Sequence, residues 1–407
     1  MIYRVKFVVA LVSSVMLFWS GMALAVEGVT KDKIKIGVYG FLTGAGSAYG
    51  LAGRDGLLIA LDEINNAGGV HGRKLEIIFE DDFSTPAGSI AAVKKLLVKE
   101  KVFALVAMGG SNPFVASIPY LVEAKIPVVG MMPSSPKMCK PFNKYIFRAT
   151  CTNDQLGGYA MADFAMQFLK PKTVAVCNQS DEYGRMGASY VIIRLRDKWN
   201  VKPLIQVEYD RAATDVSSQI LKLKELNPEV TFVFAYTKLG GMTARQAHEL
   251  GLKTQFVGST AAGSYLPFLE IAGEGGSGFI SASILPVLIE SDDPGMAEFL
   301  KKLEKKFPSR IGNIQGAEPY GYHGLKVFAE GLKLAGKDLT REKFIQGLEK
   351  IKNFKTPVYY PTTFSPTLHD GVNMVKFLMI LKNQKRILLE PNIGGTQLMK
   401  EVLESKE

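Results

Sequence analysis

Short apolar runs alternate with longer segments of helical periodicity over most of this chain. The runs are rich in Val, Ile and Phe and are typical of strands buried on both faces. In the segments between them, apolar residues recur three and four positions apart, which predicts amphipathic helices. Strict alternation of the two patterns predicts parallel sheets built from right-handed crossovers. The predicted strands are Ile34–Tyr39, Leu75–Phe79, Phe103–Ala107, Pro127–Gly130, Tyr145–Phe147, Thr173–Cys177, Leu204–Tyr209, Val230–Ala235, Thr254–Val257 and Gly278–Ser281. The predicted helices between them are Ala48–Asn66, Thr85–Lys99, Pro113–Ala124, Asp154–Leu169, Tyr183–Trp199, Ser217–Leu226 and Gly241–Leu250.

The pattern changes near residue 283. Helical periodicity then covers Pro294–Lys306, Ala317–Leu334 and Arg341–Lys350, and a Pro-rich stretch leads to a final strand pair, Met374–Lys382 and Lys385–Leu389. Because late helices must pack on an existing sheet, we expect the chain to cross between two lobes three times, near 149–153, 282–285 and 356–360. The predicted fold class is α/β, with two Rossmann-like parallel-sheet lobes joined by a three-segment hinge. We expect lobe 1 to comprise 26–150 and 285–355, and lobe 2 to comprise 151–284 and 356–407.

The N-terminus has the order of a cleavable secretory signal. Arg4 and Lys6 precede an apolar run, Phe7–Trp19, and small residues follow at Ala23 and Ala25. The alternative is a membrane anchor, but the run is shorter than the roughly 20 residues that a span needs. We expect residues 1–25 to be removed and the mature protein to be periplasmic.

Charge and cysteine content narrow the function further. Lys and Arg number 49 against 39 Asp and Glu, but they alternate with Glu on many helix faces, which does not favour nucleic-acid binding. Cys139 and Cys151 flank the strand at Tyr145 and could pair if the loop folds back, whereas Cys177 is expected to be a buried thiol. No Cys/His grouping has zinc-ligand spacing, so no metal or cofactor is predicted.

Several segments together resemble one family. The chain is similar to the leucine/isoleucine/valine-binding family of periplasmic solute receptors for ATP-driven importers, which are type I periplasmic binding proteins. The resemblance covers essentially the whole mature chain and implies a two-lobed receptor that binds one small solute and delivers it to the permease of an ABC importer. The matching segments are Ile34–Gly37, Leu42–Gly44, Tyr49–Gly50, Ala60–Arg73, Glu80–Asp82, Ile126–Val128, Phe147–Arg148, Gly251–Gly258 and Ile271–Glu274.

Two loops that follow predicted strands carry the groups expected to bind a carboxylate. Backbone N–H groups and hydroxyls at a helix N-terminus concentrate partial positive charge. In the family, the corresponding loops hold the ligand carboxylate, which implies roles for Ser111 or its neighbour Gly110, for Ser134, and for the backbone of Met132. The alternative for the serines is ordinary helix capping.

Aromatic residues and one hydroxyl complete the predicted site. Tyr49, Tyr183 and Tyr236 fall on ligand-facing positions of the family, although ordinary loop aromatics would look the same. Family members that bind amino acids have an acid where this chain has Thr260, and a hydroxyl cannot neutralise an ammonium. Glu318 could supply the charge, but an acid favoured by the helix N-terminus is the preferred interpretation. We therefore expect a ligand with a carboxylate or amide and an apolar body, not necessarily an α-amino acid.

Catalytic motifs are absent from the sequence. There is no nucleophile elbow and no phosphate-binding loop, and of the four His residues only His323 is expected near the cleft. Glu80–Asp82 could suggest a metal site, but it follows a strand directly and is interpreted as structural. The sequence therefore predicts a monomeric receptor and not an enzyme. The alternative is a sensory module that presents its ligand-bound state to a signalling partner.

Overall fold

The computed structural model describes residues 26–44, 46–310 and 315–394. The predicted signal sequence, residues 1–25, and the last residues of the predicted lobe 2 lie outside these ranges. Within them, no helix has the length and apolar character needed to cross a bilayer. The strands are β1 (Lys33–Gly40), β2 (Lys74–Asp81), β3 (Ala104–Met108), β4 (Val128–Gly130), β5 (Ile146–Arg148), β6 (Val174–Gln179), β7 (Gln206–Tyr209), β8 (Val230–Phe234), β9 (Gln255–Gly258), β10 (Ile280–Ser283), β11 (Phe354–Thr356), β12 (Tyr359–Thr362), β13 (Met374–Ile380) and β14 (Arg386–Gly394). The α-helices are α1 (Ser47–Asn66), α2 (Pro86–Val98), α3 (Ser111–Glu123), α4 (Asp154–Phe164), α5 (Glu182–Trp199), α6 (Ser217–Leu226), α7 (Thr237–Glu249), α8 (Thr260–Gly263), α9 (Pro267–Ala272), α10 (Pro294–Lys306), α11 (Glu318–Ala335) and α12 (Arg341–Glu349).

Lobe 1 is a three-layer sandwich around a parallel sheet. Its strand order is β2-β1-β3-β4-β5, and every neighbouring pair is parallel. One face packs against α1, α10, α11 and α12, and the other packs against α2 and α3. The late helices α10 to α12 therefore pack on the first sheet.

Lobe 2 repeats this arrangement with an antiparallel addition. The sheet order is β14-β13-β10-β9-β8-β6-β7, with α4 and α5 on one face and α6, α7 and α9 on the other. In this sheet, each neighbouring pair among β7, β6, β8, β9 and β10 is parallel. β13 pairs antiparallel with both β10 and β14. The two-lobed α/β fold is as predicted, and the final hairpin forms the edge of the second sheet.

The chain passes between the two sheets after β5, after β10 and before β13. The third passage differs from its predicted position near 356–360. Val358 and Phe364 are buried in the lobe 1 core, and Arg148 at the end of β5 forms a parallel bridge with Asp370. The small β11–β12 sheet in the Pro-rich stretch keeps this segment on lobe 1, so the chain leaves that lobe only after Asp370.

The three cysteines are free thiols. Cys177 lies in β6 and is fully buried, in agreement with its predicted place in the core. Cys139 and Cys151 do not form the disulfide considered from the sequence. The segment between them is held instead by β5 and by the buried Arg148 side chain.

Several helices begin shortly after a strand ends, and their N-terminal backbone N–H groups lie between the lobes. α3 begins three residues after the end of β3, with Gly110 as an extended N-cap residue. α4 is capped by Asn153, whose side chain accepts from the N–H of Gln155 at 2.8 Å. α5 is capped by Asp181, which accepts from Gly184 at 3.0 Å. These caps fix the N-termini of helices that approach the cleft from both sides.

Candidate functional site

A cavity lies between the lobes, where the carboxyl ends of the parallel strands of both sheets face each other. Its empty volume is about 750 Å³, including the part that opens to solvent. Cavities of this size at domain junctions are common binding sites for small molecules. The structure places all eight residues named from the sequence on its wall: Tyr49, Gly110, Ser111, Met132, Ser134, Tyr183, Tyr236 and Thr260.

A chain of hydrogen bonds forms the polar wall on lobe 1. The Ser111 hydroxyl oxygen accepts from the N–H groups of Ser134 at 3.2 Å and Ser135 at 3.0 Å. The hydroxyls of Ser111 and Ser134 are 3.2 Å apart, and the Ser134 hydroxyl also bonds the carboxylate of Asp154. Ser111 is the first residue of α3 and makes no capping bond, so its side chain fixes the loop after β4 rather than the helix end.

Tyrosines form the other wall. Tyr183 and Tyr236 stack with ring centroids 4.9 Å apart and planes inclined by 3°. The ring centroids of Tyr49 and Tyr265 are 5.1 Å apart. The Tyr265 hydroxyl donates to the Tyr320 hydroxyl at 2.9 Å. Tyr265 and Tyr320 also line the cavity but were not among the residues chosen from the sequence. They come from a loop and a helix of different lobes, and no local motif marks them.

Asp154 is the acidic residue on the cavity wall, and the sequence analysis missed it. It is 3% exposed, and burial raises the pKa of its carboxyl to about 7, against the effects of the Ser134 hydrogen bond and Arg148. Glu318, the acid considered from the sequence, accepts from the N–H groups of Gln315 and Gly316 at 3.0 and 2.8 Å. Its carboxylate therefore serves the start of α11, as the preferred interpretation has it.

A simple rule would have found Asp154. Ligand-facing groups in parallel sheets follow the carboxyl ends of strands, and Asp154 lies six residues after the end of β5. The pattern of residues 149–153 predicts a lobe crossing, and no motif in them marks a ligand-binding residue. In the structure this segment both crosses between the lobes and lines the cavity, because the residues after β5 and the N-terminus of α4 meet there.

The lobes contact each other across the cavity. The Tyr49 hydroxyl on lobe 1 donates to the Thr237 hydroxyl on lobe 2 and accepts from its N–H. The Tyr265–Tyr320 bond also joins the two lobes, and Lys137 of lobe 1 pairs with Glu182 of lobe 2 at 3.0 Å. These contacts define a closed arrangement of the two lobes.

The histidines and the Glu80–Asp82 cluster lie away from the cavity wall. His323 is buried between the hydroxyls of Thr356 and Thr362 and does not line the cavity; burial lowers its pKa to about 3. Glu80 pairs with Lys95 on the surface of lobe 1. Among the described residues, no group of three or more His, Cys, Asp or Glu is arranged to hold a metal ion.

Two α/β lobes, a hinge of three chain segments and a cavity between the lobes are the features of a solute-binding protein. The model of the family described as "Periplasmic binding protein" matches residues 33–385, and the chain belongs to this family. The leucine-, isoleucine-, valine-, threonine- and alanine-binding protein of Pseudomonas aeruginosa is 28% identical over 341 residues, covering 82% of this chain and 88% of that protein.

Solved structures share the fold at lower identity. A branched-chain amino acid transporter substrate-binding protein, LivJ, from Streptococcus pneumoniae in complex with isoleucine matches with a TM-score of 0.75 and 21% identity, covering 88% of this chain and 100% of that one. A fatty acid ABC transporter substrate-binding protein from Thermomonospora curvata matches with a TM-score of 0.77 and 18% identity, covering 92% of this chain and 95% of that one.

Proposed function

We propose that this protein is the extracytoplasmic solute receptor of an ABC importer. It closes its two lobes on a small ligand and delivers that ligand to a membrane permease. The ligand is a branched-chain or other hydrophobic amino acid, or an aromatic or aliphatic carboxylate or amide. The observation that carries the proposal is the convergence of polar strand-end loops and tyrosines from both lobes on one cavity.

The chemistry of the wall suits an amphipathic solute. The first N–H groups of α3, near Gly110 and Ser111, have no acceptors within the helix and favour a carboxylate. Met132 and the stacked rings of Tyr183 and Tyr236 offer adaptable apolar surface for a hydrophobic body. The names of the relatives include receptors for amino acids and for a fatty acid, so both ligand classes belong in a search.

Thermal-shift screening tests this function. Ligands that bind the folded state raise the melting temperature by mass action, so the mature protein is screened with hydrophobic amino acids, aromatic acids, short fatty acids and their amides. We expect a clear rise for at least one class. The double variant Ser134→Ala/Tyr236→Ala, with two cavity side chains truncated, is the control and shows a smaller rise. If no compound of any class shifts the wild-type protein, the proposed function is wrong.

The location and assembly of the receptor follow from the same proposal. A periplasmic receptor is exported, and we expect cleavage after Ala25 and a monomeric mature protein. N-terminal sequencing of protein recovered from the periplasm and its mass in solution test these two points. A mature chain that retains residues 1–25, or a stable dimer, contradicts the respective expectation.

A further inference from the structure

Asp154 is a buried acid on the cavity wall with unused hydrogen-bonding capacity. It lies in the first turn of α4, and its Oδ2 atom has no hydrogen-bond partner among the described residues. The Thr152 hydroxyl, also on the cavity wall, has no partner there either. Buried carboxylate oxygens are normally satisfied, because an unpaired one costs free energy. The unpaired oxygen therefore points to a ligand group that supplies the missing donor.

Within the part of the chain that the structure describes, no cationic side chain on the cavity wall pairs with this acid. None of the described residues that line the cavity is Lys, Arg or His. The nearby Arg148 is already engaged: it donates to the carbonyls of Pro133 at 3.0 Å and Ser135 at 2.8 Å and pairs with Asp370 at 2.5 Å. Arg148 does not line the cavity, so the described cavity wall itself offers no cation in place of a ligand ammonium at Asp154.

The hydrogen-bond chain beside Asp154 leaves acceptors, not donors, free for the ligand. Ser111 accepts two N–H groups, so its hydroxyl hydrogen is directed to Ser134, and the Ser134 hydroxyl is directed to the Asp154 carboxylate. Each serine hydroxyl has its one hydrogen engaged in this way. What remains on this part of the wall is a lone pair of Ser134 and the free oxygen of Asp154, which suit a group with several N–H donors.

Next to these acceptors lies the N-terminus of α3, which attracts an anion. Ser134 links the two regions, since its hydroxyl bonds both Ser111 of α3 and Asp154 of α4. An anion-binding end and a cation-binding group are thus joined through one side chain. That arrangement matches a solute whose carboxylate and ammonium are attached to neighbouring atoms.

We propose that Asp154 binds a cationic group of the ligand, an ammonium, and makes this receptor selective for zwitterionic solutes over simple carboxylates. The inference rests on the proposed receptor function and decides between its ligand classes. The counter-charge comes from the first turn of α4, in lobe 2. It takes the place of the acid that family members carry at the position of Thr260, at the start of α8.

Calorimetric titration of matched compound pairs tests the inference. Each amino acid is compared with the acid that lacks its amino group: L-leucine with 4-methylpentanoate, L-valine with 3-methylbutanoate, and L-phenylalanine with 3-phenylpropanoate. We expect the tightest ligand to carry the ammonium. Asp154→Asn should weaken its binding by about 30-fold or more, because the charge partner of a desolvated ammonium is lost. The same variant should bind the des-amino acid at least as well as the wild type does.

Glu318→Gln is the matched control, because it removes the charge of another buried acid, which accepts from the N–H groups of Gln315 and Gly316 and is not on the cavity wall. Its affinity for the amino acid should equal that of the wild type. The inference is overturned if the des-amino acids bind more tightly than the amino acids, or if Asp154→Asn leaves the amino-acid affinity unchanged. The receptor function would survive either result, whereas binding of no compound in the panel would contradict the receptor function itself. A melting temperature of ligand-free Asp154→Asn close to that of the wild type shows that the variant is folded.

Discussion

Ser134 illustrates how one small side chain organises a binding wall. Its hydroxyl connects Ser111 to Asp154, and its N–H holds the loop after β4 against Ser111. We expect Ser134→Ala to weaken ligand binding by about 1–3 kcal/mol, because it removes a hydrogen bond to the ligand and leaves buried partners unsatisfied. Calorimetric affinity measures the loss. Ser218→Ala, at an exposed site on α6, is the control and should change nothing. Equal affinity in both variants would exclude Ser134 from the site.

The pH dependence of binding follows from the position of Asp154. Burial raises the pKa of its carboxyl to about 7 in the ligand-free protein, and an ammonium ligand lowers it again. Binding at lower pH must then release a proton, so amino-acid affinity should fall by about tenfold per pH unit below about pH 7. The charged and titratable groups around Asp154 are Arg148, Cys151, Asp181, Glu182, Tyr183 and Tyr236.

Calorimetry over a series of pH values measures this slope, and Asp154→Asn should abolish it. Burial raises the pKa of Cys151 to about 12 and that of Tyr183 well above its usual value, so neither loses its proton near neutrality. The folding stability of the ligand-free protein should depend on pH in the opposite direction to the affinity. The Asp154 contribution to stability is fully present below its unfolded pKa and is lost as the pH rises through about 7. An amino-acid affinity that does not vary with pH would contradict the assigned charge state.

At the scale of single residues, the sequence was informative wherever a strand end could be recognised. Ser111, Ser134 and Tyr236 lie within four residues of the ends of predicted strands, and the structure places all three on the cavity. Tyr265 and Tyr320 could not be foreseen, since they reach the cavity only when the lobes meet. The bonding of Ser111 also depends on tertiary contact, because its partners lie more than twenty residues further along the chain.

At the scale of elements, two helices of lobe 1 approach so closely that only glycine fits between them. A Cβ atom on Gly321 of α11 would lie 1.8 Å from the carbonyl oxygen of Gly53 in α1. We expect Gly321→Ala to destabilise the protein by about 1–3 kcal/mol, because the helices must separate or bend to admit the methyl group. Urea unfolding measures this. Lys333→Ala, exposed on the same helix, should stay within about 0.5 kcal/mol of the wild type. Equal stability of Gly321→Ala and the wild type would show that α1 and α11 can move apart without a cost in free energy.

The elements were predicted well where hydrophobic periodicity was long and less well where proline interrupted it. The helix predicted at Ser217–Leu226 has those bounds in the structure. The β11–β12 pair was missed, because Pro357 and Pro361 are typical of loops and short strands offer little period to detect. That omission also shifted the third crossing, since the missed strands attach the segment to lobe 1 through the buried side chains of Val358 and Phe364.

At the scale of the whole molecule, affinity includes the free energy of closing the lobes. A ligand that binds only the closed form has an apparent affinity proportional to the closed population. Lys137 and Glu182 join the lobes at 3.0 Å and do not line the cavity, so they act on closure without touching the ligand. We expect Lys137→Ala to weaken binding by up to about 1 kcal/mol, or about fivefold, at low ionic strength. Small-angle scattering should show a more open ligand-free ensemble in this variant.

Lys144→Ala is the matched control for closure. Lys144 pairs with Glu342 at 3.2 Å, and its side chain is 48% exposed against 49% for Lys137, but both partners of this pair belong to lobe 1. Its loss should therefore leave affinity and scattering unchanged. High salt should bring Lys137→Ala and the wild type together, because it screens the exposed pair. If Lys137→Ala and Lys144→Ala bind alike at low salt, or if the wild type does not become more compact with ligand, lobe closure is not coupled to binding.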